Sequence, residues 1–253
     1  GNISQDPMFI YPGSGNYRLQ ATSPCIGAGS NSISAGEIDL DGNPRISGVV
    51  DMGAYEFGSM AGTTIQIGNE PYTAWTYPIN TCYEYNYSQQ IYLESEINPS
   101  GTLTGFITKI RFRYSMYGGN GDEWKNWTVY LGNTTREEFI SGADWVPLNE
   151  LTHVFTGTLT GIAEDSWIEI QFQNPFYYAG GNLLVAVDEN SSGGYCTAYW
   201  GVEYTNAPRS LLSGNYNFNP DPVNPPYATN GPDYEVAQLQ LFFPSSLAIV
   251  AGV

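Results

Sequence analysis

Residues 103–114, LTGFITKIRFRY, alternate apolar and polar side chains along most of their length. Side chains of a strand point to opposite faces in turn, so this pattern demands a sheet with one buried and one wet face. It predicts Ile107, Lys109, Arg111 and Arg113 on one side and Phe106, Ile110, Phe112 and Tyr114 on the other. Strand-like runs also occupy 63–67, 126–131, 151–155, 167–173, 183–188 and 235–243. In the last of these, Val236, Leu239 and Leu241 compete with Phe242 and Phe243 for the inner face. Gly, Asn and Pro separate the runs and supply turns. Only residues 135–140 read as a helical turn. The expectation is an all-β fold, an antiparallel β-sandwich of jelly-roll type over residues 63–244.

Residues 1–57 have a different texture. Short apolar stretches are broken by Gly, Pro, Ser and Asp, which suits brief strands and tight turns. Four phrases stand in order: Asp6-Pro7-Met8-Phe9; Tyr17-Arg18-Leu19 running on to Ser23-Pro24-Cys25-Ile26-Gly27-Ala28-Gly29; Asp39-Leu40-Asp41-Gly42-Asn43-Pro44-Arg45; and Val50-Asp51-Met52-Gly53-Ala54-Tyr55-Glu56-Phe57. Together they resemble the C-terminal coil and cap of secreted bacterial right-handed parallel β-helix proteins. The resemblance implies a solenoid end whose other coils are missing here, joined through a linker at 58–62 to the sandwich. The start Gly1-Asn2-Ile3 is not a signal peptide, which predicts a mature or excised chain.

A second resemblance lies in NWTVYLGNTTREEF (126–139), WVPLNELTHVFTGTLTG (145–161) and WIEIQFQNPFYYAGGNLLVAVDENSSGGY (167–195), preceded by YPINTCYEYNYSQQIYLESEI (77–97). This is similar to a β-sandwich module repeated in very large surface proteins of Bacteroidetes and related bacteria. It implies an extracellular, cell-surface protein of adhesin-like type, and it brings no catalytic residues with it.

The net charge of −17 repels nucleic acid phosphates and anionic lipid, which argues against binding to either. No run of about 18 apolar residues exists to enter a membrane. Catalytic motifs are also missing. His153 is the only histidine, and no GxSxG, P-loop or HExxH occurs. Neighbouring carboxylates at Asp122–Glu123, Glu164–Asp165 and Asp188–Glu189 are too close in sequence to flank a glycosidic bond from one strand. The chain therefore reads as non-enzymatic.

Binding features remain. Sugar rings stack on aromatic faces, and the expected platform residues are Tyr83, Tyr85, Tyr87, Trp124, Trp127, Tyr199 and Trp200; Trp145 and Trp167 are assigned to the core. Asp39, Asp41, Asn43 and Asp51 place oxygens around a glycine turn, as a Ca²⁺ site would, although Val50 stands where an EF-hand needs Glu. The alternative for them is turn stabilisation, with Asp51 paired to Arg45. Cys82 and Cys196 are the pair expected to form a disulfide, with Cys25 buried and single. The Pro/Asn-rich stretch 215–233 predicts a long surface loop. The apolar tail 245–253, with Leu247, Ile249, Val250 and Val253, is either the start of a next module or a strand that pairs with another copy, giving head-to-tail filaments. The leading expectation is a structural or adhesive module that contacts copies of itself or neighbouring modules. The alternative is a carbohydrate-binding module.

Overall fold

The computed structural model describes residues 3–12, 16–20, 22–31, 49–55, 57, 63–99, 101, 103–116, 124–160, 162–192 and 198–243. Two compact units are present, one of which is Thr64–Phe243.

In the N-terminal unit, β1 (Phe9–Tyr11) and β2 (Asn16–Leu19) form an antiparallel hairpin. The turn before it is tied by Asp6, whose Oδ1 accepts the Met8 N–H at 2.9 Å. Two of the sequence phrases come together. Gly29 N–H donates to Val50 O at 2.7 Å, and Met52 N–H donates to Cys25 O at 3.0 Å. Cys25 is a buried free thiol beside them. The Arg18 guanidinium lies 4.6 Å from the Tyr55 ring centroid, a cation–π contact.

The larger unit is an antiparallel sandwich. In chain order its strands are β3 (Thr63–Ile67), β4 (Thr73–Ala74), β5 (Tyr85–Tyr92), β6 (Gly105–Met116), β7 (Asn126–Thr134), β8 (Thr152–Thr158), β9 (Ser166–Tyr178), β10 (Asn182–Glu189), β11 (Ala198–Tyr204), β12 (Ser210–Asn215), β13 (Asn230–Asp233), β14 (Glu235–Ala237) and β15 (Leu239–Phe243), and the described residues also include a short α-helix, α1 (Glu94–Ile97), and a 3-10 turn at Leu148–Glu150. A six-stranded sheet runs β13-β12-β5-β10-β7-β8. A seven-stranded sheet runs β14-β11-β6-β15-β3, with β4 beside β11 and β9 beside β6. Residues 135–140, expected to turn helically, carry no regular element, and helical turns lie at α1 and at Leu148–Glu150 instead.

The two inner faces share one large core. Tyr92, Val129, Leu131, Leu183, Val185 and Val187 from one sheet meet Ile110, Phe112, Tyr114, Ile168, Ile170, Trp200 and Leu241 from the other. Burying large apolar side chains is worth roughly 1.5–3 kcal/mol each, so this layer drives folding.

Two backbone irregularities correct the facing read from sequence. Between Ile107 and Lys109 the β6–β9 register shifts. That bulge turns Ile107 into the core while Lys109, Arg111 and Arg113 stay outside. Phe106 is half-buried against Tyr177 rather than inside. The last run splits at Gln238, whose N–H donates to Gly201 O and whose carbonyl accepts Arg113 N–H. The split lets Val236, Ala237, Leu239, Leu241 and Phe243 all point inward, and leaves Phe242 outside under Lys109.

Strand β8 forms one edge of the six-stranded sheet and is capped by a side chain. Gln173 of β9 accepts the Thr156 N–H and donates to the Thr156 carbonyl, at 3.1 and 2.8 Å, imitating a neighbouring strand.

Candidate functional site

Four of the seven aromatics expected to stack sugar are core residues. Trp124, Trp127, Trp200 and Tyr87 are 0–1% exposed. The three tryptophans and Tyr114 pack as one aromatic cluster, with ring centroids 5.1–6.4 Å apart. Tyr87 lies under Trp145, 5.3 Å away. None of them has a free face. Strand β5 begins only at Tyr85, so Tyr83 does not continue the face of Tyr85 and Tyr87; it is half-buried against Tyr216 and the core. Tyr85 is half-buried on the outer face of the six-stranded sheet. Trp145 packs half-buried in a second apolar cluster. Trp167, assigned to the core from sequence, is half-buried opposite Arg113 on the outer side of β9.

Tyr199 is the exception, and its partner is a residue that sequence reading passed over. Trp75 follows β4 directly and is 47% exposed. Its ring lies 5.6 Å from that of Tyr199, inclined by 32°. The register Trp200–Ala74 between β11 and β4 places both rings on the outer face of the seven-stranded sheet. Tyr199 stands opposite Ser115 of β6, and Ser115 donates to Asp165 Oδ1 at 3.0 Å. Asp165 holds a φ of +50°, a conformation Asp tolerates better than most residues, in the turn that enters β9. Beside this row the Arg113 stem crosses Gly201. A Cβ at Gly201 would sit 2.7 Å from Arg113 Cγ, so only glycine admits the arginine there. Arg113 Nη1 donates to the carbonyls of Tyr114 and Ser166, which fixes the side chain.

The face continues along β6. Arg111 Nε and Nη2 and Lys109 Nζ all donate to a single oxygen, Glu169 Oε2, at 2.8, 2.5 and 3.0 Å. Burial would raise the Glu169 carboxyl, but the bonds from Lys109 and Arg111 outweigh it and hold the group below its ordinary value. Glu169 and Gln171 also line a groove of about 300 Å³ with Phe155, Thr158, Leu159 and Thr160.

The outer face of the six-stranded sheet differs. Half of it is roofed by Phe139, Val146 and Ala228, which cover Ile91, Leu184 and Leu211. The Trp145 indole N–H donates to Pro226 O at 2.9 Å, so the stretch 215–233, expected as a long surface loop, helps form this roof. Its last residues are not loop but strand β13 (Asn230–Asp233), at the end of the sheet order, where Pro232 is tolerated. The other half is polar. Asp188 stands opposite Tyr87 and Thr128 and accepts from the Asn190 amide at 3.1 Å. Its carboxyl is raised to about 6, chiefly by burial, with Asp221 adding and Asn190 opposing. Glu189, next in sequence, points to the opposite, inner face and is fully buried. Burial lifts it to about 8 against the bonds from Ser191 and the nearby Asn86 amide, with a small further push from Asp188. The pair cannot act together across a substrate. His153 is exposed on β8, with Nε2 2.7 Å from Thr156 Oγ1.

Of the expected metal ligands, Asp39, Asp41 and Asn43 lie outside the described residues, as does Arg45. Asp51 is buried and accepts N–H bonds from Gly27 at 2.6 Å and from Phe57, which is the work of a turn-tying carboxylate. Among the described residues no group of three or more His, Cys, Asp or Glu is placed to hold a metal. Cys82 is disulfide-bonded, and Cys196, its expected partner, lies outside the described residues. Leu247, Ile249, Val250 and Val253 also lie outside them. No protein-family model matches the chain, and no curated protein is significantly similar to it, so function is argued from geometry.

Proposed function

We propose that this chain is a non-enzymatic adhesive module of a bacterial extracellular surface protein, and that its sandwich binds carbohydrate on the outer face of the seven-stranded sheet. The observation that carries the reading is the Trp75–Tyr199 pair. Two adjacent aromatic rings are held on paired strands, with Trp75 open to solvent and Ser115, Asp165 and Arg113 close by to bond hydroxyls. An apolar ring face with polar groups at its margin is what a sugar requires, since its axial hydrogens pack and its hydroxyls demand partners.

A glycan array probed with the wild-type protein and with Trp75→Ala tests it. The reading expects at least one glycan bound by the wild type and lost, about tenfold or more, in the variant with unchanged circular dichroism. No bound glycan, or binding indifferent to Trp75, overturns it.

Assembly by strand addition has one observation in its favour: among the described residues β3 ends the order of the seven-stranded sheet, a position at which a further strand can add. Filaments in negative stain that vanish when the chain is ended after Pro244 would establish it, and dispersed particles in both samples would end it.

A further inference from the structure

The protein carries eight Lys and Arg residues against 25 Asp and Glu. Three of the eight, Lys109, Arg111 and Arg113, stand at alternate positions of β6 on the same outer face as Trp75 and Tyr199. Chance placement on so acidic a chain would scatter them. Their carboxylate partners are fewer than they are. Glu169 is shared by Lys109 and Arg111 through one oxygen, so the Nε/Nη2 edge of the guanidinium converges on a single oxygen and not on two. Arg111 is 38% exposed, and among the described residues its Nη1 makes no hydrogen bond. Arg113 Nη2 lies 3.7 Å from Asp165 Oδ1, beyond hydrogen-bond distance, and Asp165 is 70% exposed. These five groups of β6, β9 and the turn entering β9 hold three positive and two negative charges, against the strongly acidic balance of the whole chain, with Glu203 of β11 at the margin beyond Gly201, where Gln238 bonds it.

We infer that the glycan bound on this face is acidic, an oligosaccharide carrying spaced carboxylates such as uronic acid units. This rests on the carbohydrate reading above and assigns its ligand class. The Trp75–Tyr199 pair stacks one sugar ring, and a carboxylate further along the chain meets the free edge of Arg111, with Lys109 beside it. The strands β4, β11, β6 and β9 lie side by side at about 4.8 Å spacing, so the face spans roughly 14 Å across them, enough for a short oligosaccharide. Arginine suits the role because its planar fork fits a carboxylate and gives up water readily. The net charge of −17 sets the other bound. It repels a densely sulfated polymer, while a single carboxylate within a Debye length of about 8 Å feels mainly the local strip.

The test uses a panel of carboxylated oligosaccharides, each beside its carboxyl-reduced neutral form, measured by calorimetry on the full chain. The wild type is expected to prefer an acidic member over its neutral form by about tenfold, the effect of one added charge-assisted contact. Raising salt from 50 to 500 mM should erode that preference. The double variant Lys109→Gln/Arg111→Gln, checked for an unchanged melting temperature, should narrow it to about twofold or less. Equal wild-type binding of both forms, or a preference that survives the double variant, overturns the inference and leaves the carbohydrate reading standing. No binding to any member, acidic or neutral, overturns the inference, while the carbohydrate reading falls only if the glycan array is also empty.

Discussion

The two outer faces of the sandwich are built by the same alternation and end in opposite states. On the six-stranded sheet, the side chains that alternate outward include Ile91, Leu184 and Leu211, and residues 139–146 and 226–228 fold back to cover them. On the seven-stranded sheet they are Lys109, Arg111, Arg113, Glu169 and Gln171, polar groups that bond in part to one another and to backbone carbonyls, stay hydrated and need no roof. An outward apolar row forces a covering loop, whereas an outward charged row leaves the strands open for a ligand. The aromatic residues divide along the same line. Trp124, Trp127 and Trp200 fill the core, and Trp75 stands clear of it.

Removing the roof should have the largest effect. Phe139→Ala leaves a cavity over Ile91 and Leu184 and is expected to cost about 3–5 kcal/mol in urea unfolding. If the loss is below 1 kcal/mol, the cover is not structural and the six-stranded face becomes the better binding candidate.

The buried acids should separate the faces next. Glu189 and Asp188 both bind protons more tightly folded than unfolded. Their stabilising effect is complete below about pH 4, where the unfolded chain is also protonated. It is lost as pH rises through about 6 for Asp188 and about 8 for Glu189. The fully buried Glu189 can account for up to about 5 kcal/mol of this decline. Glu189→Gln is expected to remove most of the fall between pH 6 and 9 and to stabilise the protein at pH 9; a pH–stability curve parallel to the wild type refutes the assignment.

Near the helix, Arg209 grips both oxygens of Glu96 at 2.7 and 2.8 Å, with the arginine side chain only 6% exposed. Glu96→Gln strands that buried cation and should cost about 3 kcal/mol, seen as a lower denaturation midpoint at unchanged m-value. The smallest stability effect belongs to the open face. Trp75→Ala should change stability by no more than about 0.5 kcal/mol, while binding is lost. A large drop in melting temperature would make Trp75 a packing residue and weaken the contrast between the faces.

The all-β antiparallel class was legible from alternation alone, because a period of two is imposed by backbone geometry whatever the neighbours are. So was the outward placement of Lys109, Arg111 and Arg113. Ile107 was misplaced because the β6–β9 register shifts between Ile107 and Lys109, where two steps on β6 face five on β9, and such an irregularity leaves no compositional mark. The split at Gln238 was hidden in the same way. The tryptophans were the hardest. Their hydrophobic bulk fits a core and a sugar platform equally, and only the partners across the sheet distinguish the two.

By itself, then, the sequence determined local quantities: strand period, turn positions, the acidic balance and the clustering of cations on one strand. Tertiary structure decided which aromatic rings meet each other and which meet water. Trp75 and Trp200 lie 125 positions apart, yet a two-residue pairing of β4 with β11 sets one outside and the other within. That choice depends on register between distant segments, and register is fixed only when the whole core closes.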